Sequence, residues 1–193
     1  MNDAQNLKQP SVTQAIYQET VASGFPMASE PQTGSLLRTL AATKPSGSFL
    51  ELGTGTGLST AWILDGMDRT STLLSVDNDD SAQAIARHHL QYDPRVSFHL
   101  SDGAAFLVSL AEQKFDYIFA DTWPGKYDHL DEAVALLKPG GLYIVDDMLP
   151  QANWPSGHEL KATALIAALE QRSDLMITKL HWASGLIIAT KRS

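Results

Sequence analysis

Apolar residues along this chain fall in short blocks set off by glycine, proline and acidic punctuation. From residue 47 onward, blocks apolar at nearly every position alternate with blocks apolar at helical spacing. A short run that is apolar on both faces marks a parallel strand covered by helices on both sides. The pattern predicts strands over 48–52, 72–76, 96–100, 115–120, 142–145, 175–180 and 185–189. It predicts helices between them over 58–67, 81–91, 103–111, 127–137 and 159–171. Strand–helix alternation implies right-handed crossovers and a doubly wound α/β sheet. Too few residues separate the last two strands for a crossover helix, so they are expected to form an antiparallel hairpin. Ahead of the first strand, 12–22 and 32–42 read as helices joined by the breaker Ser23-Gly24-Phe25-Pro26. Residues 1–46 are thus expected to cap the sheet's ligand-bearing edge, and 47–193 to form the core of the same single domain.

Composition narrows the function classes. The chain has 193 residues, one domain's worth, of which 44% are apolar. Its 14 basic residues against 22 acidic ones give a net charge of −8. Such a surface repels phosphate backbones and anionic lipids, which argues against nucleic-acid and membrane partners. The chain lacks cysteine, which excludes disulfides, thiolate metal sites and cysteine nucleophiles. The first ten residues are polar and carry Asp3, unlike a signal peptide, and no stretch is apolar enough to span a bilayer. A cytoplasmic location is expected.

The most specific local signal is Glu51-Leu52-Gly53-Thr54-Gly55-Thr56-Gly57-Leu58-Ser59, between the first strand and the helix after it. Glycines let the backbone turn sharply and approach a ligand, and the helix N-terminus presents free N–H groups. The spacing Gly53-x-Gly55-x-Gly57 departs from the nicotinamide fingerprint. Asp77 ends the second strand, where a carboxylate can accept both ribose hydroxyls of an adenosine. Asp102-Gly103 follows the third strand, where Asp102 is placed to accept from an adenine amino group. Each acid alone reads as a turn residue or helix N-cap. Together, at successive strand ends beside a glycine turn, they read as a nucleoside site.

These residues resemble the class I S-adenosylmethionine-dependent methyltransferases, over the chain from about Met27 to its end. The resemblance implies a seven-stranded sheet of order 3-2-1-4-5-7-6 with strand 7 antiparallel. It places Glu51 and the turn Gly53, Thr54, Gly55 and Gly57, with Ser59, along the methionine portion of S-adenosylmethionine. It places Asp77 on the ribose and Asp102, with Gly103, on the adenine.

Two further acidic sites follow. Asp121 closes the fourth predicted strand, and Asp146-Asp147 closes the fifth. Neighbouring strands lie ~4.8 Å apart, so these carboxylates are within reach of one ion. Clustered carboxylates repel unless protonated or bridged, and oxygen ligands select Mg²⁺, Mn²⁺ or Ca²⁺. The acids equally read as ordinary strand ends. The pattern is similar to the cation-dependent catechol and caffeoyl-CoA type O-methyltransferases. Met27-Ala28-Ser29 resembles that family's segment over the cofactor, and Asp121-Thr122-Trp123 its fourth-strand motif. The resemblance makes Asp121, Asp146 and Asp147 metal ligands, with Asp121 also bordering the cofactor and catalytic. This chain departs from the family twice: Asp147 stands where asparagine is usual, and Pro124 where the family has its lysine base. Lys126, two residues on, is a candidate base, and equally reads as a solvated lysine at a helix start.

Trp123, Met148 and Trp154 lie on segments leaving the same edge and are expected to form an acceptor pocket, or for the Trp154 loop a homodimer contact. His129 and His158 are placed where either could approach the site. The resulting expectation is methyl transfer from S-adenosylmethionine to a hydroxyl of a small, aromatic acceptor, assisted by a divalent cation, Mg²⁺ first. The alternatives are a metal-independent methyltransferase, a cofactor-binding module without catalysis, and a nicotinamide oxidoreductase, which the glycine spacing and terminal hairpin disfavour.

Overall fold

A computed structural model describes residues 2–5 and 7–193. The elements in chain order are α1 (Thr13–Ser23), α2 (Pro31–Ala41), β1 (Ser48–Leu52), α3 (Leu58–Gly66), β2 (Thr72–Asp77), α4 (Asp80–Leu90) and β3 (Val96–Leu100). They continue with α5 (Gly103–Ser109), β4 (Phe115–Ala120), α6 (Leu130–Ala135), β5 (Leu137–Val145), α7 (His158–Glu170), β6 (Leu175–Leu180) and β7 (Leu186–Lys191). The seven strands form one sheet of order β3-β2-β1-β4-β5-β7-β6. The pairs β1–β2, β2–β3, β1–β4 and β4–β5 are parallel, while β7 runs antiparallel to both β5 and β6. This is the expected order, with the expected hairpin closing it.

Alternation along the strands divides the core into two layers. Phe49, Leu73, Tyr117, Phe119 and Ile144 face α1 to α4, where they meet Ile16, Leu37, Ile63 and Leu90. Leu50, Leu52, Val76, Ile118 and Val145 face α5 to α7, where they meet Leu107, Val134, Leu165 and Leu169. Each fully buried leucine here contributes roughly 1.5–3 kcal/mol by leaving water. The two layers clamp the sheet and leave its strand ends as the rigid platform on which the site is built.

The N-terminal helices belong to one of these layers. Tyr117 Oη donates to the Leu37 carbonyl at 3.3 Å, so α2 rests on the sheet face. Thr20 of α1 donates to Thr56 in the turn after β1 at 2.8 Å, and the segment between α1 and α2 contributes Phe25, Met27, Ala28 and Ser29 to the cavity at the strand ends.

One boundary departs from the expected pattern. The helix expected over 127–137 is only Leu130–Ala135, and the strand expected from 142 begins at Leu137. His129 sits at φ 58°, which halts helical propagation toward Tyr127. Leu137 pairs with Phe115, and the ladder shifts register before Tyr117 pairs with Leu142. The Pro139-Gly140-Gly141 punctuation is thus a bulge within a strand rather than its start. No helix among the described residues is long and apolar enough to cross a membrane.

Candidate active site

The glycine turn leaves β1 at the centre of the sheet. Gly53 and Gly57 have φ of 100° and 91°, a region that disfavours other residues. A Cβ on Gly53 would come within 2.9 Å of the Asp121 carbonyl oxygen, and one on Gly57 within 2.7 Å of the Ala86 Cβ. The turn therefore packs against β4 on one side and α4 on the other. Gly57 itself does not line a cavity; its place is helix packing.

Glu51 lies beneath the turn, fully buried, and does not reach the cavity. Its position departs from the expectation that it borders the cofactor: it lies behind the cavity and holds Ser59, which lines it, together with Thr60 and Ser75, which do not. Its carboxylate accepts from Ser59 Oγ at 2.7 Å, Thr60 Oγ1 at 2.6 Å and Ser75 Oγ at 2.6 Å. Burial raises its pKa to about 7 against the lowering effect of those three hydroxyls.

Asp77 ends β2 with its carboxylate turned toward the glycine loop. It accepts from the Gly55 N–H at 2.7 Å and from the Asp79 N–H at 2.9 Å. It borders two adjoining cavities, of about 340 Å³ and 450 Å³. The first runs over Gly53, Thr54, Gly55 and Ser59 to Asp121. The second contains Asp102 and Gly103, with His129 on its wall. Asp102 also N-caps α5, accepting from the Ala105 N–H at 2.9 Å, so its turn role and its cavity position coexist. Met27, 63% exposed, and Ser29 hang over the first cavity, and Ser29 Oγ reaches Asp121 Oδ2 at 3.5 Å. A groove floored by the turn from Gly53 to Ser59, open at Gly53 and Gly55, and bordered by the Asp77 carboxylate fits an adenosine-bearing cofactor.

The ends of β4 and β5 are in register, Ala120 opposite Val145, so Asp121 and Asp146 start level with each other. Burial, and next the Asp146 charge, hold the Asp121 carboxyl well above the usual range. Burial, and next Asp147, raise Asp146 to about 6. The side chains nevertheless diverge. Asp146, 2% exposed, accepts from Ser184 Oγ and from the Asp147 N–H at 2.8 Å, and it lines neither cavity. Asp147 adopts φ 56° and does line the first cavity. Among the described residues, the group of three possible ligands whose atoms lie within 4.8 Å of one another is Glu19, His88 and His89, between α1 and α4; Asp121, Asp146 and Asp147 form no such group. The arrangement of Asp121, Asp146 and Asp147 therefore does not fit a preformed three-acid metal cage. Lys126 is drawn in instead: it is 4% exposed, and its Nζ donates to the Asp146 carbonyl at 2.7 Å.

The far wall of the cavity is aromatic. Trp123, Tyr127, Trp154 and His158 converge there. The Trp154 and His158 rings lie with centroids 4.5 Å apart, tilted at 41°, and Tyr127 Oη bonds His158 Nε2 at 2.9 Å. Lys161 Nζ lies 4.8 Å above the Trp123 ring. Trp123 and Trp154 both line the first cavity, and Trp154 also packs against the core. Met148 does not line it: it is buried in the core beneath α7. Residue 127 is expected to open a helix over 127–137; Tyr127 instead lies in the loop before α6, which puts it on the wall. Phe25 and Asn153 also line the cavity and carried no sequence signal.

A doubly wound sheet of this order, with a glycine turn after β1 and acids at the ends of β2, β4 and β5, belongs to the α/β class that binds its ligands in the crevice at the carboxyl ends of the strands. The model of the family described as "Methyltransferase domain" matches residues 50–148, just over half of the chain. The chain belongs to this methyltransferase-domain family. A relative from Mycolicibacterium vanbaalenii, provisionally named an O-methyltransferase, is 33% identical over 120 residues, covering 60% of this chain and 53% of the relative. The chain thus matches about half of that relative's length. Among solved structures, an O-methyltransferase from Bacillus cereus in complex with S-adenosylhomocysteine superposes with a TM-score of 0.83 at 19% identity, covering 94% of this chain and 91% of that one. A protein from Staphylococcus aureus provisionally described as a caffeoyl-CoA O-methyltransferase gives 0.80 at 17% identity, covering 95% and 93%. At these identities the structures establish the shared fold.

Proposed function

We propose that this protein transfers the methyl group of S-adenosylmethionine to a hydroxyl oxygen of a small, aromatic, catechol-like acceptor. The observation that carries the reading is one continuous cavity, with the glycine turn and Asp77 at one end and Trp123, Tyr127, Trp154 and His158 at the other. S-adenosylmethionine supplies an activated methyl on a sulfonium; as the O–C bond forms, the S–C electron pair returns to sulfur and the hydroxyl proton leaves to water. The chain's own part is positioning. Asp77 holds the ribose, the glycine floor admits the methionine portion, and the aromatic wall sandwiches the acceptor ring. Asp121, between the two ends, accepts from the acceptor hydroxyl. Names of O-methyltransferases among relatives and neighbours support the transfer to oxygen.

The divalent cation expected from the resemblance is left out of this reading, because the three acids do not gather around one point. Calorimetry with S-adenosylhomocysteine and with NAD tests the cofactor: saturable binding of the first alone is expected, and its failure to bind overturns the reading. Methyl transfer to a panel of catechols tests the acceptor class. Cofactor binding without turnover on any phenol or alcohol of the panel would instead favour a binding module.

A further inference from the structure

Lys126 is the feature of the site that the family resemblance leaves unexplained. Among the described residues it is the single lysine or arginine on the wall of the first cavity, which also carries Asp77, Asp79, Asp121 and Asp147. A local turn puts it there. The Trp123 carbonyl accepts from the N–H groups of Lys126, Tyr127 and Asp128 at 3.0, 2.9 and 3.3 Å. Gly125, at φ 89°, lies so close to β1 that a Cβ would meet Leu52 Cδ1 at 2.5 Å, and its carbonyl accepts from Tyr143 Oη. The loop is thereby tucked under the sheet edge, and the next side chain points back between the ends of β4 and β5.

Burying an ammonium is costly unless its hydrogens are used. A lysine has three N–H donors. One goes to the Asp146 carbonyl, and the Tyr127 ring lies 5.4 Å from Nζ. No carboxylate oxygen lies within 4.0 Å of it among the described residues, so the charge is held near three acids without being paired to any. Two donors remain for whatever enters the cavity.

We propose that the Lys126 ammonium is the resident cation of this site. It binds the acceptor's hydroxyl oxygen and offsets Asp121 and Asp147, so that methyl transfer proceeds without a divalent metal. This rests on the methyl-transfer reading and specifies its electrostatics. As the hydroxyl proton leaves, negative charge grows on the acceptor oxygen, and a preorganised N–H donor stabilises it without giving up its own proton.

The test combines metal titration with charge removal. The wild-type complex with S-adenosylhomocysteine is titrated with Mg²⁺ and Mn²⁺ by calorimetry, alongside Lys126→Met. The expected result is no saturable metal binding by wild type. With an acceptor, turnover should survive exhaustive chelation. Lys126→Met should lose roughly 100-fold in kcat/KM while keeping its affinity for S-adenosylhomocysteine, with Lys126→Arg retaining more activity than Met. Saturable Mg²⁺ or Mn²⁺ binding by wild type that disappears in Asp121→Asn would overturn the proposal, as would chelation that abolishes turnover. The titration needs no acceptor and does not depend on Lys126→Met folding; Asp121→Asn separates metal bound at this site from metal bound by Glu19, His88 and His89. A failure of the methyl-transfer reading shows separately, as absence of S-adenosylhomocysteine binding.

Discussion

Ser75 Oγ donates to Glu51 Oε2 at 2.6 Å, tying β2 to β1 directly beneath the glycine turn. The same carboxylate holds Ser59 and Thr60 at the start of α3. One buried acid therefore fixes the strand below the turn and the helix above it.

Because burial raises Glu51 to about 7 from an ordinary 4.5, the folded state favours its protonated form. The corresponding stability is fully present below pH 4.5 and is lost as pH rises through about 7. The cofactor-free wild type should thus unfold more easily at pH 8 than at pH 5, by up to roughly 3 kcal/mol from this group. Glu51→Gln should flatten that part of the profile. Urea unfolding of both proteins across this range checks it, and parallel profiles would count against the assignment.

Asp77 is expected to anchor the cofactor's ribose. Asp77→Ala removes a charge-assisted acceptor and frees the Gly55 N–H, so affinity for S-adenosylhomocysteine should fall by about 10- to 100-fold. Calorimetry reads this directly, and circular dichroism should show the fold retained.

Gly53→Ala would force a Cβ to 2.9 Å from the Asp121 carbonyl at a φ of 100°. The strain should destabilise the protein by about 1–3 kcal/mol and abolish cofactor binding, because the floor of the groove and β4 move apart. A thermal melt together with calorimetry tests both effects.

Tyr127→Phe breaks the hydrogen bond to His158 Nε2, whose Nδ1 is already buried without a partner. An imidazole with both nitrogens unpaired should cost about 1–3 kcal/mol of stability. KM for aromatic acceptors should rise while affinity for S-adenosylhomocysteine holds, since the change lies on the acceptor wall alone. Steady-state kinetics at fixed S-adenosylmethionine separates the two.

Much of the site was legible along the chain. Gly53, Gly55, Asp77 and Asp121 line the cavity and Gly57 packs the turn on α4, positions set by a parallel strand's end and the turn after it, which are local features. Glu51 and Met148 were misplaced because which face a strand-end residue takes depends on what packs behind it. Lys126 reads locally as a solvated lysine at a helix start. The helix begins only at Leu130, and the turn through Gly125 carries the lysine inward.

The amino-acid sequence by itself determined the strand order's essentials: apolar blocks of strand length, helices long enough to cross over between them, and a final pair too close for any crossover. These follow from period and spacing, which any stretch of chain carries within itself. Only the tertiary structure decided which acids converge. Asp121 and Asp146 begin level on adjacent strands, yet Ser184, brought in by the terminal hairpin, draws the Asp146 carboxylate away. Lys126, turned in by contacts with Leu52 and Tyr143, comes to lie among the acids. Ser184 stands 38 positions from Asp146 and Tyr143 stands 18 from Gly125, and close packing around a shared sheet edge is what makes them neighbours.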